Sequence, residues 1–511
     1  LAAVSTTLGA LLADAGLPAP PREAAALPVT GVAYDSRRAV RGSVFVAVPG
    51  EHTDGHRHAL AAVEAGAVAV VAQRPPDPAL PAGTPLVLVP DTQLAMAPLA
   101  AVLHGHPSRR LTVAGVTGTD GKTTTTTMLH AAWRGAGIAA GSLTTVDFRV
   151  LDRVEPNTTR QTTLESADLQ ERLRALLDAG CTHVALETSS HALVLHRVDA
   201  VDFACAVFTR ITSEHLDFHG SRDAYLAAKA SLLTRAAQHP DGLAVLDRDD
   251  GFAYPTLAAM PIARRLTYSA GGAADADLQA SGVRVDASGV HFSARTPWGA
   301  ADVDLRMAGR FNVANALAAL AAACGTGALL DGAVRGLAAL ERVSGRMERV
   351  DLGQPFSVVI DYAHTAEALH TVLTELRAAT AGRLWAVFGS AGRRDVGKRA
   401  AMGRVAAELA ERVVVTDEDP REEDSRAIVE QIAAGARDAT HRDGEELFLF
   451  PDRTEAIRFA VLHAAPGDTV LLAGKGHEST MILAGGPVPW DERGVAEQAV
   501  RERLAETGSI S

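Results

Sequence analysis

The stretch "LTVAGVTGTDGKTTTT" (Leu111–Thr126) decides how the middle of this chain folds. Its apolar opening, Leu111 to Ala114, reads as the end of a buried strand. Glycines at 115, 118 and 121 then break the pattern, and Lys122 begins a threonine-rich helix. Such glycines let backbone N–H groups turn inward around an anion, and the helix that follows adds its positive end. Lys122 supplies a point charge for the outer phosphates and Thr123 a hydroxyl for Mg²⁺. Val116 stands where the standard Walker spacing has its first glycine, so this is a variant phosphate loop. The expected ligand is a nucleoside triphosphate.

Working outward, 511 residues exceed what one core usually holds, so two to four domains are expected. Apolar residues make up 47% but aromatics only 4%, so alanine and valine do most of the filling. The net charge of −12 argues against nucleic-acid binding through bulk electrostatics. Cys181, Cys205 and Cys324 are odd in number and lack zinc spacing, as in a reducing cytoplasm. The opening "LAAVSTTLGALLADAGL" has no basic start and Asp14 interrupts it, so a short amphipathic helix is expected rather than a signal peptide. No apolar stretch reaches the length of a membrane span.

Before the phosphate loop, "GVAYDSRRA", "GSVFVAVPG", "AVAVVAQ" and "PLVLVPD" alternate with helical segments. After it come the buried-strand candidates "HVALETSS", "FACAVFTRIT" and "GLAVLDRDD", a polar region (268–299) expected to form β-hairpins, and the alanine-rich helix "NVANALAALAAAC". The last third shows "SVVIDYAH", "LWAVFGSAG", "RVVVTDEDP", "LFLFPD" and "DTVLLAGKGHE". Strands alternating with helices imply parallel α/β layers. The expected division is three α/β domains, 1–108, 109–340 and 341–511. Polar clusters directly follow apolar strands: GTDGKT, ETSSH, RITSEHLDFHG, DYAHT, GSAGRRD, TDEDPRE and GKGHE. Open α/β sheets bind ligands at the carboxyl ends of their strands, so a large composite site is expected.

Each cluster has a chemical reading and a plainer one. Glu187 ends a strand and can reach Mg²⁺, or it is a solvated loop carboxylate. Glu214, His215, Asp217 and His219 lack zinc spacing; His215 suits Mg²⁺ or phosphate, and His219 can be a loop residue. Lys229 lies among apolar residues on a helix, where most lysines reach out to solvent. Asn312 caps a helix or contacts a nucleoside. Arg346 reaches a γ-phosphate or simply lies on the surface. Asp419 and Arg421, a carboxylate beside a guanidinium, suit a zwitterionic amino acid or an ion pair within the loop.

In this order and context the clusters resemble the Mur ligases of peptidoglycan synthesis, and within them the tripeptide-synthetase branch, over nearly the whole chain. The carrying motifs are "DSRR…GSVFVAVPG…DG", "GVTGTDGKTTTT", "NTT", "ETSSHALVLHRV", "HLDFHG…YLAAK", "ERVSGRMERV", "DYAHT", "DPR" and "GKGHE". The resemblance implies a small N-terminal α/β domain, a central P-loop-type parallel-sheet ATPase domain with an added β region, and a C-terminal Rossmann-like domain. It implies ATP-driven amide formation. A carboxylate of UDP-N-acetylmuramoyl-L-alanyl-D-glutamate takes the γ-phosphoryl group, and the amine of a diamino acid then displaces phosphate.

By the same resemblance Lys122, Lys229, His215 and Glu187 are catalytic, and Thr123, Glu187, His215 and a carbamylated Lys229 hold Mg²⁺. Gly118, Thr119, Asp120, Gly121, Lys122, Thr123, Thr124, Asn312, Arg346 and Asp361 contact ATP. Asp35, Ser36, Arg37, Thr158, Thr159, Ser189 and Arg197 contact the UDP-muramoyl dipeptide. Arg394, Asp419, Arg421, Gly474 and Glu478 contact the incoming amino acid. A cytoplasmic monomer is implied, acting on small molecules without nucleic acid or membrane insertion. The chain departs from the family at Asp120 (usually asparagine), Leu195 (often glutamine) and Ala366 (proline). The diaminopimelate signature "DNPR" reads "EDPR" here. Arg421 favours meso-diaminopimelate, while Asp419 keeps L-lysine and L-ornithine open. A folylpolyglutamate-type ligase and a non-catalytic nucleotide-binding paralogue are the rival readings.

Overall fold

The computed structural model describes residues 6–50, 53–159, 161–286, 289–393, 395–439 and 441–508. Two compact units make up the chain. One holds the residues to Ala280 with Ala294–Ala301 and Ala314–Leu337; the other holds Ser281–Ser293, Asp302–Val313 and Ala338–Ser511.

The first unit supplies most of two sheets with parallel centres, besides the short antiparallel pair Thr6–Thr7 with Pro28–Val29. The smaller orders its strands Gly31–Ala33, Ser43–Val46, Ala69–Ala72 and Leu86–Leu88, all parallel. Its two central strands are buried at every position, as parallel strands covered on both faces should be. Val44, Val46, Ala69 and Val71 pack on Met96 and Leu99 of the helix Thr92–Leu103. Phe45, Val70 and Ala72 face the opposite way, onto Ala59 and Ala62. Period-two alternation thus sorts one apolar run onto two cores. The opening segment forms the short helix Leu8–Asp14, capped by Thr7 and buried through Leu8, Leu11 and Leu12.

The larger sheet runs Ala140–Leu143, His183–Glu187, Thr112–Thr117, Phe203–Phe208, Leu243–Asp247, Arg264–Ser269, all parallel. An antiparallel hairpin, Asp147–Val150 with Arg153–Pro156, extends one side and was not expected from the sequence. At the other side follow Leu278–Asp286, Gly289–Thr296 and Gly299–Leu305, the expected added β region. Register matters most here. Val116 lies level with Glu187 on one neighbour and with Val207 on the other. The phosphate loop, ETSSH and RITSEH therefore leave the sheet at one edge.

In the second unit the sheet runs Glu348–Val350, Ser357–Asp361, Thr469–Ala473, Leu384–Phe388, Arg412–Val415, Leu447–Leu449, parallel except at its first strand. Asp361 is level with Ala473, and Phe388 with Val415. DYAHT, GKGHE, GSAG and TDEDPRE thus also share one edge. Ala366, where the family has proline, opens the helix Ala366–Ala379. Thr365 caps that helix by accepting from Ala368 N, so no proline is needed to start it. All three cysteines are buried thiols. Among the described residues no helix is long and apolar enough to cross a membrane.

Candidate active site

The strand Thr112–Thr117 delivers the chain into the phosphate loop, and the helix Lys122–Gly135 carries it away. Gly121 occupies the residue before that helix with φ 82°, and a Cβ there would lie 2.4 Å from Asn315 Oδ1. Only glycine fits both demands. No side chain caps the helix start, so its first N–H groups face the loop. Lys122 Nζ curls back over the loop, donating to Gly118 O (3.0 Å) and Thr119 O (2.7 Å). Thr124 is buried behind it, while Asp120 O accepts from Thr209 Oγ1 at 2.6 Å.

Lys229 is not the solvent-seeking lysine that its helix position suggests. Its Nζ is buried, donates to Gly118 O at 2.7 Å, and lies 4.5 Å from the centre of the Tyr225 ring. Two lysines therefore converge on one carbonyl oxygen. Burial first, and the charge of Lys122 second, pull the Lys229 ammonium well below its ordinary pKa. Both effects disfavour its charged form.

Glu187, also buried, accepts Thr123 Oγ1 at 3.0 Å on each oxygen and Thr145 N at 2.9 Å on Oε2. Thr123 and Glu187 thus offer buried oxygens of the kind a hard cation takes. Among the described residues no three His, Cys, Asp or Glu side chains converge as a metal cluster. A cation beside Thr123 fits only with further oxygens from its nucleotide. His215 sits at φ 55°, its ring 4.5 Å from that of His191 and its Nε2 3.7 Å from Glu214 Oε1. Burial leads in lowering the pKa of His215, with Lys122 and Lys229 adding to it, so the imidazole is neutral with a lone pair to offer. His219 instead pairs with Ser190 Oγ at 3.0 Å.

The remaining positions of this unit are placed by local bonds. Asp35 caps the turn Ser36–Arg38 and holds the exposed Arg37 at 2.6 Å. Thr159 is fixed by Asn157, whose Oδ1 accepts from its N–H and its hydroxyl, and Thr158 beside it is exposed. Ser189 caps the helix Ser190–Val194. Arg197 pairs with Glu165 at 2.7 Å and donates to Thr163 O, but its buried Nε has no partner. Leu195 ends that short helix without a polar group to contribute.

In the second unit Asn312 Nδ2 donates to Ala308 O at 2.7 Å as the helix Asn312–Gly325 begins. Asp361 accepts from Met347 N (2.8 Å) and Ala363 N (2.9 Å), and the Arg346 guanidinium lies 4.6 Å from the centre of the Tyr362 ring. Asp419 does not pair with Arg421, which removes the expected intraloop ion pair. Its Oδ1 accepts from Lys475 Nζ (2.8 Å) and Ile482 N (2.9 Å). Lys475 also donates to Glu478 Oε2 at 2.6 Å, and Tyr362 reaches Glu478 Oε1 at 3.3 Å. Arg421 takes φ 57°, and its buried Nε has no partner. The loop that carries it is tied down by buried Arg399, which holds Glu423 at 2.6 and 2.9 Å. Gly474 turns at φ 103° directly before Lys475. Arg394 lies outside the described residues.

Four partners escaped the sequence reading. Asn315 accepts from Thr125 Oγ1 at 3.2 Å and backs Gly121; its spacing of three from Asn312 on one helix was the available signal. Tyr225 meets Thr119 Oγ1 at 3.1 Å; it opens the motif "YLAAK", in which the sequence reading gives a role only to Lys229. Thr145 binds Glu187 only because the strand Ala140–Leu143 ends beside it. Glu418 is buried beside Asp419, has an unpartnered Oε2, and is pushed above the usual carboxylate range by burial.

Family models match three consecutive parts of the chain: the Mur ligase family catalytic domain over 28–103, the Mur ligase middle domain over 116–323, and the Mur ligase glutamate ligase domain over 345–476. A UDP-N-acetylmuramyl-tripeptide synthetase of Roseiflexus sp. (strain RS-1) is 47% identical over 489 residues, 93% of this chain and 95% of that one. A UDP-N-acetylmuramoyl-L-alanyl-D-glutamate–2,6-diaminopimelate ligase of Geobacillus kaustophilus (strain HTA426) is 40% identical, again over 93% and 95%. A solved structure of a ligase with the latter name superposes with TM-score 0.66 at 29% identity, covering 98% of this chain and all of that one.

Proposed function

The chain belongs to the Mur ligase family and is an ATP-dependent ligase that forms an amide bond, and from that premise we propose that it adds meso-diaminopimelate to UDP-N-acetylmuramoyl-L-alanyl-D-glutamate through an acyl phosphate. A carboxylate is a poor acyl donor until phosphorylated. Transfer of the γ-phosphoryl group to the glutamyl carboxylate releases ADP, and attack by the amine of the diamino acid then forms the amide and releases phosphate. Two anions must approach each other for the first step, so catalysis is positioning and charge screening. Lys122 and the loop amides cradle the phosphates. Asn312, Arg346 and Asp361 are assigned further ATP contacts.

Thr123, Glu187, His215 and a carbamate on Lys229 would hold Mg²⁺, which would supply screening of the phosphates. The carbamate reading follows from the chemistry of Lys229. A buried neutral amine adds to CO₂, loses a proton and becomes an anionic oxygen donor. That change also places a negative charge near Lys122, which disfavours a positive one on Lys229. Asp35, Ser36, Arg37, Thr158, Thr159, Ser189 and Arg197 bind the UDP-muramoyl dipeptide. Arg394, Asp419, Arg421, Gly474 and Glu478 form the amino-acid pocket. The parts 1–108, 109–340 and 341–511 divide nucleotide-sugar, ATP and amino-acid binding among them. Three buried thiols suit a reducing cytoplasm, where the enzyme acts as a monomer on small molecules.

The observation that carries diaminopimelate over lysine or ornithine is the pairing in the second unit. Asp419 is engaged by Lys475, while Arg421 keeps a buried donor with no partner. An unpaired guanidinium calls for a carboxylate, and only the dicarboxylic acceptor carries one at its far end. The test is phosphate release with ATP, Mg²⁺ and the dipeptide nucleotide across diaminopimelate, lysine, ornithine and glutamate, with product masses. Turnover of diaminopimelate, lost on Arg421→Gln through a rise in KM of about 10- to 100-fold, is expected, since a hydrogen bond to a charged group contributes about 1.5–3 kcal/mol. Turnover with lysine or ornithine alone refutes the choice of acceptor but not the ligase. ATP turnover that ignores the uridine nucleotide and needs a folate refutes the Mur assignment.

A further inference from the structure

Lys475 follows the strand Thr469–Ala473, and its side chain is wholly buried. A lysine so placed must find its countercharge inside the protein. It has two, Asp419 at 2.8 Å and Glu478 at 2.6 Å. They are not equivalent. The Asp419 side chain is 13% exposed and is held further by Ile482 N, whereas Glu478 is 33% exposed and open to water. Of the nearby ionic groups, Arg453 is paired with Glu492 and Arg399 with Glu423, while Lys398 donates to the His364 carbonyl. Buried Glu418 is pushed above the usual carboxylate range by burial, and Lys398 is the foremost of the cations that oppose that shift. Lys475 brings one positive charge to two carboxylates, so what remains for a ligand is one net negative charge, most open to water at Glu478, and the Arg421 guanidinium. One receives a carboxylate and the other an ammonium, the two groups on the far carbon of a dicarboxylic diamino acid. Without Lys475, Asp419 becomes a second anion beside Arg421, and the pocket turns toward an acceptor ending in an ammonium alone.

We propose that Lys475 is a specificity-determining positioning residue, which holds Asp419 and offsets its charge and so keeps the pocket selective for diamino acids with a carboxylate at the far end. The proposal rests on reading this loop as the amino-acid pocket.

The quantity that tests it is the ratio of kcat/KM for meso-diaminopimelate to kcat/KM for L-lysine, which a purely structural role would leave unmoved. Lys475→Met is expected to lower the ratio at least tenfold. Asp419→Asn, which leaves Lys475 with one carboxylate fewer, is expected to raise it at least threefold. The double variant Lys475→Met/Asp419→Asn, with both charges gone, is expected to return to within threefold of the parent ratio. If Lys475→Met does not fold, the other two variants still decide. A double variant that keeps the ratio of Asp419→Asn, or a ratio that neither single change moves, overturns the proposal. A parent enzyme that turns over neither diamino acid overturns the reading of the pocket instead, and the parent assay alone reveals that.

Discussion

Replacing Lys229 with methionine separates its chemistry from its packing. Methionine keeps the unbranched apolar stem, and swaps that conserve volume usually cost less than about 1.5 kcal/mol. The lost bond is the 2.7 Å contact to Gly118 O, a net contribution of about 0.5–1.5 kcal/mol. Gly118 O is not orphaned, because Lys122 Nζ still donates to it at 3.0 Å. The substitution also removes a buried amine whose charged form burial and Lys122 both disfavour. These terms oppose one another, so stability by urea unfolding should change by no more than about 1 kcal/mol. Activity should behave differently. Losing one preorganised electrostatic group at a reacting phosphate typically costs about 100- to 1,000-fold in rate. Phosphate release dependent on the dipeptide nucleotide should fall by that factor. In CO₂-stripped buffer the parent enzyme should slow and recover on adding bicarbonate; Lys229→Met should ignore bicarbonate and respond partly to high formate. A variant retaining a third of parental activity would refute the metal-ligand role. A parent enzyme indifferent to bicarbonate would refute the carbamate alone.

Two further outcomes follow from pairs in the second unit. Arg399 holds the Glu423 carboxyl down at about 2, against a usual value of about 4.5. A depressed carboxylate stabilises the fold above its unfolded pKa and loses that contribution as pH falls through the folded value. The dependence on Glu423 should thus be full above about pH 4.5 and vanish toward about pH 2. Acid unfolding of Glu423→Gln should be flatter in that window, and curves that coincide with the parent would show that the pair is not linked to folding. Arg453 and Glu492 are a buried ion pair, 2.5 Å apart with almost no exposure of either side chain. Arg453→Met should destabilise by about 3–5 kcal/mol because it strands Glu492, while Arg453→Met/Glu492→Leu should recover most of the loss. A double variant no better than the single, in urea unfolding, would show that packing rather than charge sets the cost.

The sequence by itself determined whatever depends on short-range rules. Period and punctuation marked the parallel strands, glycine and lysine spacing marked the phosphate loop, and polar clusters after strands marked the edge where ligands bind. Those signals are local, so one chain carries them without help. Tertiary structure decided which groups pair. Lys229 reads as a surface lysine because its neighbours in sequence do not show that its helix turns it onto Gly118, 111 residues away along the chain. Asp419 and Arg421, two residues apart, invite an ion pair, yet the nearer match for Asp419 is Lys475, 56 positions on. Asp361 and Ala473 become neighbours only through strand register. Burial is likewise invisible in the sequence, and it is burial that does most to disfavour the charged form of Lys229. Charge pairing and desolvation are set by distances in space, and separation along the chain does not encode them.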